Sequence, residues 1–150
     1  MSYFKEHGKN LLANHYMIVP IKQGMKRPVM DEWQNVRLTA IDVPKYANQG
    51  VGILTGQGPF PICAVDIDVT DVELAEKFAD WCRDNLGVSC ERIGRAPKIL
   101  LVYRAEEPDW GKSISAWFAD PTEIDKPFKL MQKQRIEILG RGQQFVAYHI

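Results

Sequence analysis

Two periodicities divide the chain. Residues 2 to 14 place Phe4, Leu11 and Leu12 on one side of a short amphipathic helix. The apolar, β-rich run from Tyr16 to Ile21 predicts a strand, and Gly24 and Pro28 punctuate the loop that follows. A helical turn or two is expected within 39–48, with Thr39 as cap. Gly50 and Gly52 bracket a second strand, Val51 to Leu54, and Ile62 to Asp68 reads as a third. Thr70-Asp71-Val72-Glu73 has the form of a capping box, opening a helix on which Val72, Ala75, Phe78, Ala79, Cys82 and Leu86 recur at helical spacing until Gly87 stops it. Lys98 to Arg104 predicts another strand, residues 105–126 an irregular segment, and Phe128 to Met131 a short strand. Arg135 to Leu139 and Gln143 to Tyr148 read as two strands joined into a hairpin by Gly140-Arg141-Gly142. Strands and helices mix without strict alternation, so the expected class is α+β (mixed α/β), in one domain spanning the 150 residues.

Composition narrows the class further. With 45% hydrophobic and 25% charged residues, four Trp, five Tyr and six Phe, the chain has the makings of a packed core. Its longest apolar runs are too short to cross a bilayer, and Met-Ser-Tyr-Phe-Lys-Glu does not start a signal peptide, so a cytoplasmic protein without membrane partners is expected. Three cysteines (Cys63, Cys82, Cys90) and three scattered histidines show no disulfide framework and no zinc-ligand spacing; reduced, packed thiols are the expectation. The net charge is zero only by cancellation. Seven acids fall between Asp66 and Asp84, whereas Arg92 to Arg104 and Lys126 to Arg141 are basic. Such runs are usually solvated faces, but a basic segment on either side of an acidic one also suits a metal-and-phosphate site.

The chemistry-bearing candidates lie where those segments meet. Asp66 and Asp68 are two apart on a strand and so point to one face. Like charges held that close need a neutraliser, and Mg²⁺ is typically held by one or two carboxylates together with substrate phosphates. Alone the pair is open to other readings: a helix-capping strand end, or the Asp-x-Asp of a glycosyltransferase or haloacid-type phosphatase. Glu137, a single acid among Ile136, Ile138 and Leu139, either pairs with Arg135 or Arg141 or supplies the third carboxylate of a two-metal site. Arg92, Arg95 and Lys98 project from a Gly- and Pro-containing segment, suited to triphosphate oxygens. Thr55-Gly56-Gln57-Gly58 lacks the third glycine and the helix of a dinucleotide fingerprint, and no P-loop is present.

Together these segments resemble the bifunctional primase/polymerase (prim-pol) domain of phage and plasmid replication proteins, in the archaeo-eukaryotic primase superfamily. Val19-Pro20-Ile21-Lys22-Gln23-Gly24-Met25-Lys26-Arg27-Pro28 with Trp33 resembles the family's opening, and Gly52-Ile53-Leu54-Thr55-Gly56 its Gly-Ile-x-Thr-Gly strand. Val65-Asp66-Ile67-Asp68 resembles the metal-binding motif I; Ile136-Glu137 and Gly140 to Tyr148 resemble motif III. Motif II departs from the family: its Ser-x-His histidine is missing, and Arg95-Ala96-Pro97-Lys98 stands in its place. The resemblance implies a primase-like catalytic core with an RRM-like sheet. It implies template-directed nucleotidyl transfer by two Mg²⁺ or Mn²⁺ ions on Asp66, Asp68 and Glu137, with Arg95, Lys98 and Arg92 toward the nucleoside triphosphate. Lys26, Arg27, Lys133, Arg135 and Arg141 are candidates for the single-stranded DNA template. Ile150 ends inside an apolar run where relatives continue, so an N-terminal piece of a longer replication protein, working with a helicase domain or protein, is expected. The rival expectation is an inactive binding module of the same fold, which the lost histidine favours.

Overall fold

The computed structural model describes residues 2–106, 111–115, 117–120, 123, 125–127, 131 and 133–148. Its elements run α1 (Tyr3–Ala13), β1 (Ile18–Ile21), β2 (Gly50–Leu54), β3 (Ile62–Asp68), α2 (Val72–Leu86), β4 (Cys90–Ile93), β5 (Ile99–Arg104), β6 (Ser113–Ile114), β7 (Phe118–Ala119), β8 (Lys133–Leu139) and β9 (Gln144–Tyr148). Short 3₁₀ turns occupy Trp33–Asn35 and Val43–Tyr46. The fold is α+β, as the mixed periodicities imply. It divides into two compact units, one of Met1–Cys63, Arg104–Gly111 and Gly140–Ile150, the other of Ala64–Tyr103 and Lys112–Leu139.

The first unit is built on a three-stranded antiparallel sheet in the order β1-β2-β9. Every residue of β1 and β2 is buried, which accounts for their near-continuous apolar sequences. Gly52 sits where a Cβ would come within 2.8–2.9 Å of the side chains of Gln144, Ile21 and Val19, so the close packing of the sheet requires a residue with no side chain. Val19, Ile21, Leu54 and Val146 form its core, with Met17, Met30 and Trp33 against them. On α1, Phe4 is fully buried and Leu11 and Leu12 are half-buried, the face that the helical spacing marks.

The second unit carries a six-stranded sheet in which β4-β5-β3-β8-β6 are successive neighbours and β7 also pairs with β8. The amphipathic helix α2 covers one face. Ala75, Ala79 and Cys82 pack on Val65, Ile67 and Val69 of the β3 segment and on Ile99 and Leu101 of β5. Each fully buried Ile or Leu there contributes about 1.5–3 kcal/mol over leaving it in water. An open apolar groove of about 480 Å³ runs beside the helix, lined by Val65, Phe78, Trp81, Leu86, Ile136 and Ile138 among others. The three cysteines are free thiols, as expected.

Four local expectations are corrected. The helix cap is Asp71, whose Oδ1 accepts from the Leu74 N–H at 2.8 Å. Thr70 is turned away, its hydroxyl on Asp120 Oδ2 at 2.7 Å. Arg92 and Ile93, read as the start of a basic loop, belong instead to the edge strand β4 (Cys90–Ile93), whose polar Glu91 and Arg92 conceal the strand period. The segment read as irregular contains the two-residue strands β6 and β7. The expected C-terminal hairpin does not exist: β8 pairs with β3, β6 and β7, whereas β9 pairs with β2 in the other sheet. Gly140-Arg141-Gly142 therefore carries the chain from one sheet to the other. Gly56, at φ +66°, lies so close to it that a Cβ would meet the Arg141 backbone nitrogen at 2.4 Å. Thr55, fully buried, donates its hydroxyl to the Gly140 carbonyl at 2.5 Å. Of the expected short strand at Phe128 to Met131, the first three residues lie outside those described.

Candidate acidic site on the six-stranded sheet

Strand pairing assembles the acids. β3 and β8 run antiparallel with Asp66 directly opposite Glu137, Asp68 opposite Arg135 and Ala64 opposite Leu139. Because alternate residues share a face, Asp66, Asp68, Glu137 and Arg135 all project from one side of the sheet. Val65, Ile67 and Ile136 project from the other side, under α2. The same alternation that buries one face beneath a helix thus delivers three carboxylates to the opposite one.

Their immediate neighbours are cations. Lys98 Nζ lies 2.5 Å from Asp68 Oδ1, both side chains one-third exposed. Glu137 is buried, and its Oε1 has two charged neighbours: Arg135 Nη2 at 2.5 Å and Lys112 Nζ at 2.9 Å. These are charge contacts outside hydrogen-bond geometry, since neither Asp68 Oδ1 nor Glu137 Oε1 accepts a hydrogen bond. Arg135 is itself held from above, its guanidinium carbon 4.3 Å from the centroid of the Trp117 ring. On β4, Arg92 stands opposite Leu100. Leu100 alternates with the core-facing Ile99 and Leu101, which puts Arg92 on the acid-bearing face, two strands from Asp66. Lys133, exposed, shares that face at the start of β8.

The end of β3 is pinned from below. Gln134, fully buried, accepts the Thr70 N–H on Oε1 at 2.6 Å. With the Thr70–Asp120 bond, this fixes the turn that leaves Asp68, and hence the direction in which Asp68 is presented.

Of the residues singled out in the sequence, the structure brings together Asp66, Asp68, Glu137 and Lys98, with Arg135 among them. Arg95 is exposed in the turn before Lys98, its carbonyl accepting the Lys98 N–H. Lys26, Arg27 and Arg141 are exposed residues of the first unit. Sequence reasoning did not single out Lys112, Trp117 or Gln134. The first two flank or follow a two-residue strand, too short for any period to show, and Gln134 is one polar residue in a basic run.

The donor set suits a hard divalent cation: three carboxylates on one face, with two buried oxygens that accept no hydrogen bond. Among the described residues no three His, Cys, Asp or Glu converge on a single point. Asp68 and Glu137 are instead drawn toward Lys98, Lys112 and Arg135. Among the described residues, no helix is long and apolar enough to cross a membrane.

The family model of the bifunctional DNA primase/polymerase N-terminal domain matches residues 9–149, nearly the whole chain. No curated protein matches it.

Proposed function

Since the chain belongs to the bifunctional DNA primase/polymerase N-terminal family, we propose that the acidic face of its six-stranded sheet is the centre for template-directed nucleotidyl transfer in DNA replication. The observation that carries this reading is the register of β3 on β8, which sets Asp66 against Glu137 with Asp68 two residues along on the same face. Primase/polymerase nucleotidyl transfer is the activity of the family; the assignment of residues is ours. Asp66, Asp68 and Glu137 would hold two Mg²⁺ or Mn²⁺ ions. When bound, such ions supply charge stabilisation to the attacking 3′-hydroxyl and to the departing pyrophosphate.

The remaining work falls to the chain's own side chains. Lys98, beside Asp68, is placed to pair with a triphosphate oxygen as a point charge, the part for which the family's usual histidine is missing. Arg92, on the same face, has a guanidinium suited to two phosphate oxygens at once. Arg95 extends the basic turn between them. Gln134 and Asp120 hold the turn after β3, so Asp68 is presented in one direction. Lys133 and Arg135 on this unit and, separately, Lys26, Arg27 and Arg141 on the other are our candidates for contact with a single-stranded template backbone. The same reading takes a helicase domain or protein as the working partner, in a bacterial, phage or plasmid setting.

Primer extension on a single-stranded template with Mg²⁺ or Mn²⁺ tests the reading. Asp66→Asn keeps the size of the side chain and removes its charge. Loss of at least about a hundredfold in incorporation, with an unchanged thermal melt, is expected for a ligand of the metal. Incorporation by Asp66→Asn at the wild-type rate would contradict the assignment. A folded wild type that neither binds triphosphate with metal nor incorporates it would favour the inactive binding module.

A further inference from the structure

Strand order divides the acid-bearing face of the six-stranded sheet in two. Arg92 on β4 and Lys98, just before β5, lie to one side of Asp66 and Asp68 on β3. To the other side lie β8 and the short strands β6 and β7 that pair with it. There two large apolar side chains stay open to solvent. Ile114 stands opposite Glu137 and is 49% exposed. Phe118, opposite Gln134, turns toward the core under α2. Trp117, one residue earlier, turns the opposite way, and its indole, 43% exposed, lies over the Arg135 guanidinium.

Arg135 backs the ring. It stands opposite Asp68 on β8 with its Nη2 against Glu137, and its guanidinium carbon lies 4.3 Å from the indole centroid. An aromatic side chain packed in place beforehand loses little freedom on taking up a flat partner. Lys112 and Arg135 are already engaged with Glu137, and Lys133 stands exposed two residues before Arg135 on the same face. What this side of the sheet leaves uncovered is therefore a flat aromatic ring among cations. The chemistry that such a ring recognises beside cations is the π-face of a nucleobase, which every base presents.

Resting on the reading of this face as the centre for nucleotidyl transfer, we propose that Trp117 is a stacking platform for a nucleobase of the single-stranded template. The base lies on the indole, and Ile114 adds apolar surface on the same side of the acids. The strand thus occupies the β8 side of the face, away from Arg92 and Lys98, the candidates for the triphosphate on the β4–β5 side. Stacking reads no sequence, so the platform accepts any template base. Trp117 is a binding residue and takes no part in the chemistry.

Two probes separate stacking from charge: a fluorescein-labelled oligothymidylate, and an abasic strand of the same length with the same phosphates and no bases. Fluorescence anisotropy reads both affinities over a range of salt, with no turnover involved. Wild type is expected to bind the base-bearing strand about tenfold tighter than the abasic one. In Trp117→Ala that preference should fall by at least about fivefold. Its affinity for the abasic strand, and the slope of affinity against salt, should stay as in the wild type. Trp117→Phe, which keeps a ring, should retain most of the preference. An equal loss for both strands, with a shallower salt slope, would mean that Trp117 only holds Arg135 in place, and would overturn the proposal. A wild type that binds the two strands equally would overturn it too, and that comparison needs no variant to fold. If Trp117→Ala keeps its strand preference but no longer tells nucleoside triphosphate from inorganic tripolyphosphate, the ring serves the incoming nucleotide and the template assignment falls. In each of these cases the acidic centre stands, since Asp66→Asn tests it separately by incorporation. A wild type that binds neither strand would remove the nucleic-acid reading and the proposal with it.

Discussion

Buried charge at Glu137 is what makes its neighbours informative. A carboxylate taken out of water is costly unless opposite charges compensate, and here two cations meet one oxygen. A second carboxylate, Asp42, shows the same physics in the open. The Lys45 ammonium donates to it at 2.8 Å, and the N–H and hydroxyl of Thr39 add two bonds at 3.0 Å. Together, with the Lys45 bond the largest cause, they hold its carboxyl down from an ordinary 3.8 to about 2. A lowered folded-state pKa means that the bonds stabilise the turn above pH 3.8, and the contribution is lost as pH falls from 3.8 toward 2. A carboxyl-carbon NMR titration should give a midpoint near 2, moving up toward 3.8 in Lys45→Ala. A wild-type midpoint at 3.8 would remove the bonds from the account. At this scale the sequence was legible where spacing is local. Asp66 and Asp68 declare a shared face by being two apart, and Glu137 stands out as a lone acid among Ile136, Ile138 and Leu139. Lys112 gives no such sign, because its contact with Glu137 depends on where a two-residue strand docks.

Among the elements, β3 and its exit matter most. The strand was readable to the residue from its apolar run, and α2 from its helical spacing. What fastens the junction was not: Gln134, sixty-odd positions away, accepts from Thr70 N–H on its Oε1, and locally Asp71, rather than Thr70, caps the helix. Gln134→Ala leaves the half-buried Thr70 N–H without its acceptor, which costs about 1–3 kcal/mol in stability. Urea denaturation should show that loss; a change under a few tenths of a kcal/mol would mean that the turn is held by α2 and Asp120 alone. β4 escaped the sequence for the opposite reason. As an edge strand exposed along most of its length, it has no buried face to impose a period on Cys90 to Ile93.

For the whole molecule, the informative misreading is the C-terminal hairpin. Gly140-Arg141-Gly142 between two β-rich runs has the local chemistry of a turn, and Gly142 does adopt φ +79°. Pairing is decided by the partners available, however: β8 finds its partner in β3, about seventy residues back in the chain, and β9 in β2, at least ninety back. That departure from the hairpin creates the site, because it lays Glu137 against Asp66. The order of short motifs along the chain, in contrast, sufficed for the α+β class and for membership of the primase/polymerase family. Asp66, Asp68, Lys98, Lys112, Arg135 and Glu137 all belong to the second unit. The central claim is that this face of the sheet holds the divalent ion. Fe²⁺ substituted for Mg²⁺, with triphosphate, ascorbate and peroxide present, cleaves the polypeptide next to wherever the ion sits. Cuts confined to the segments around Asp66–Asp68 and Glu137, suppressed by excess Mg²⁺, are the expected result; cuts elsewhere, with those two segments intact, would contradict the account.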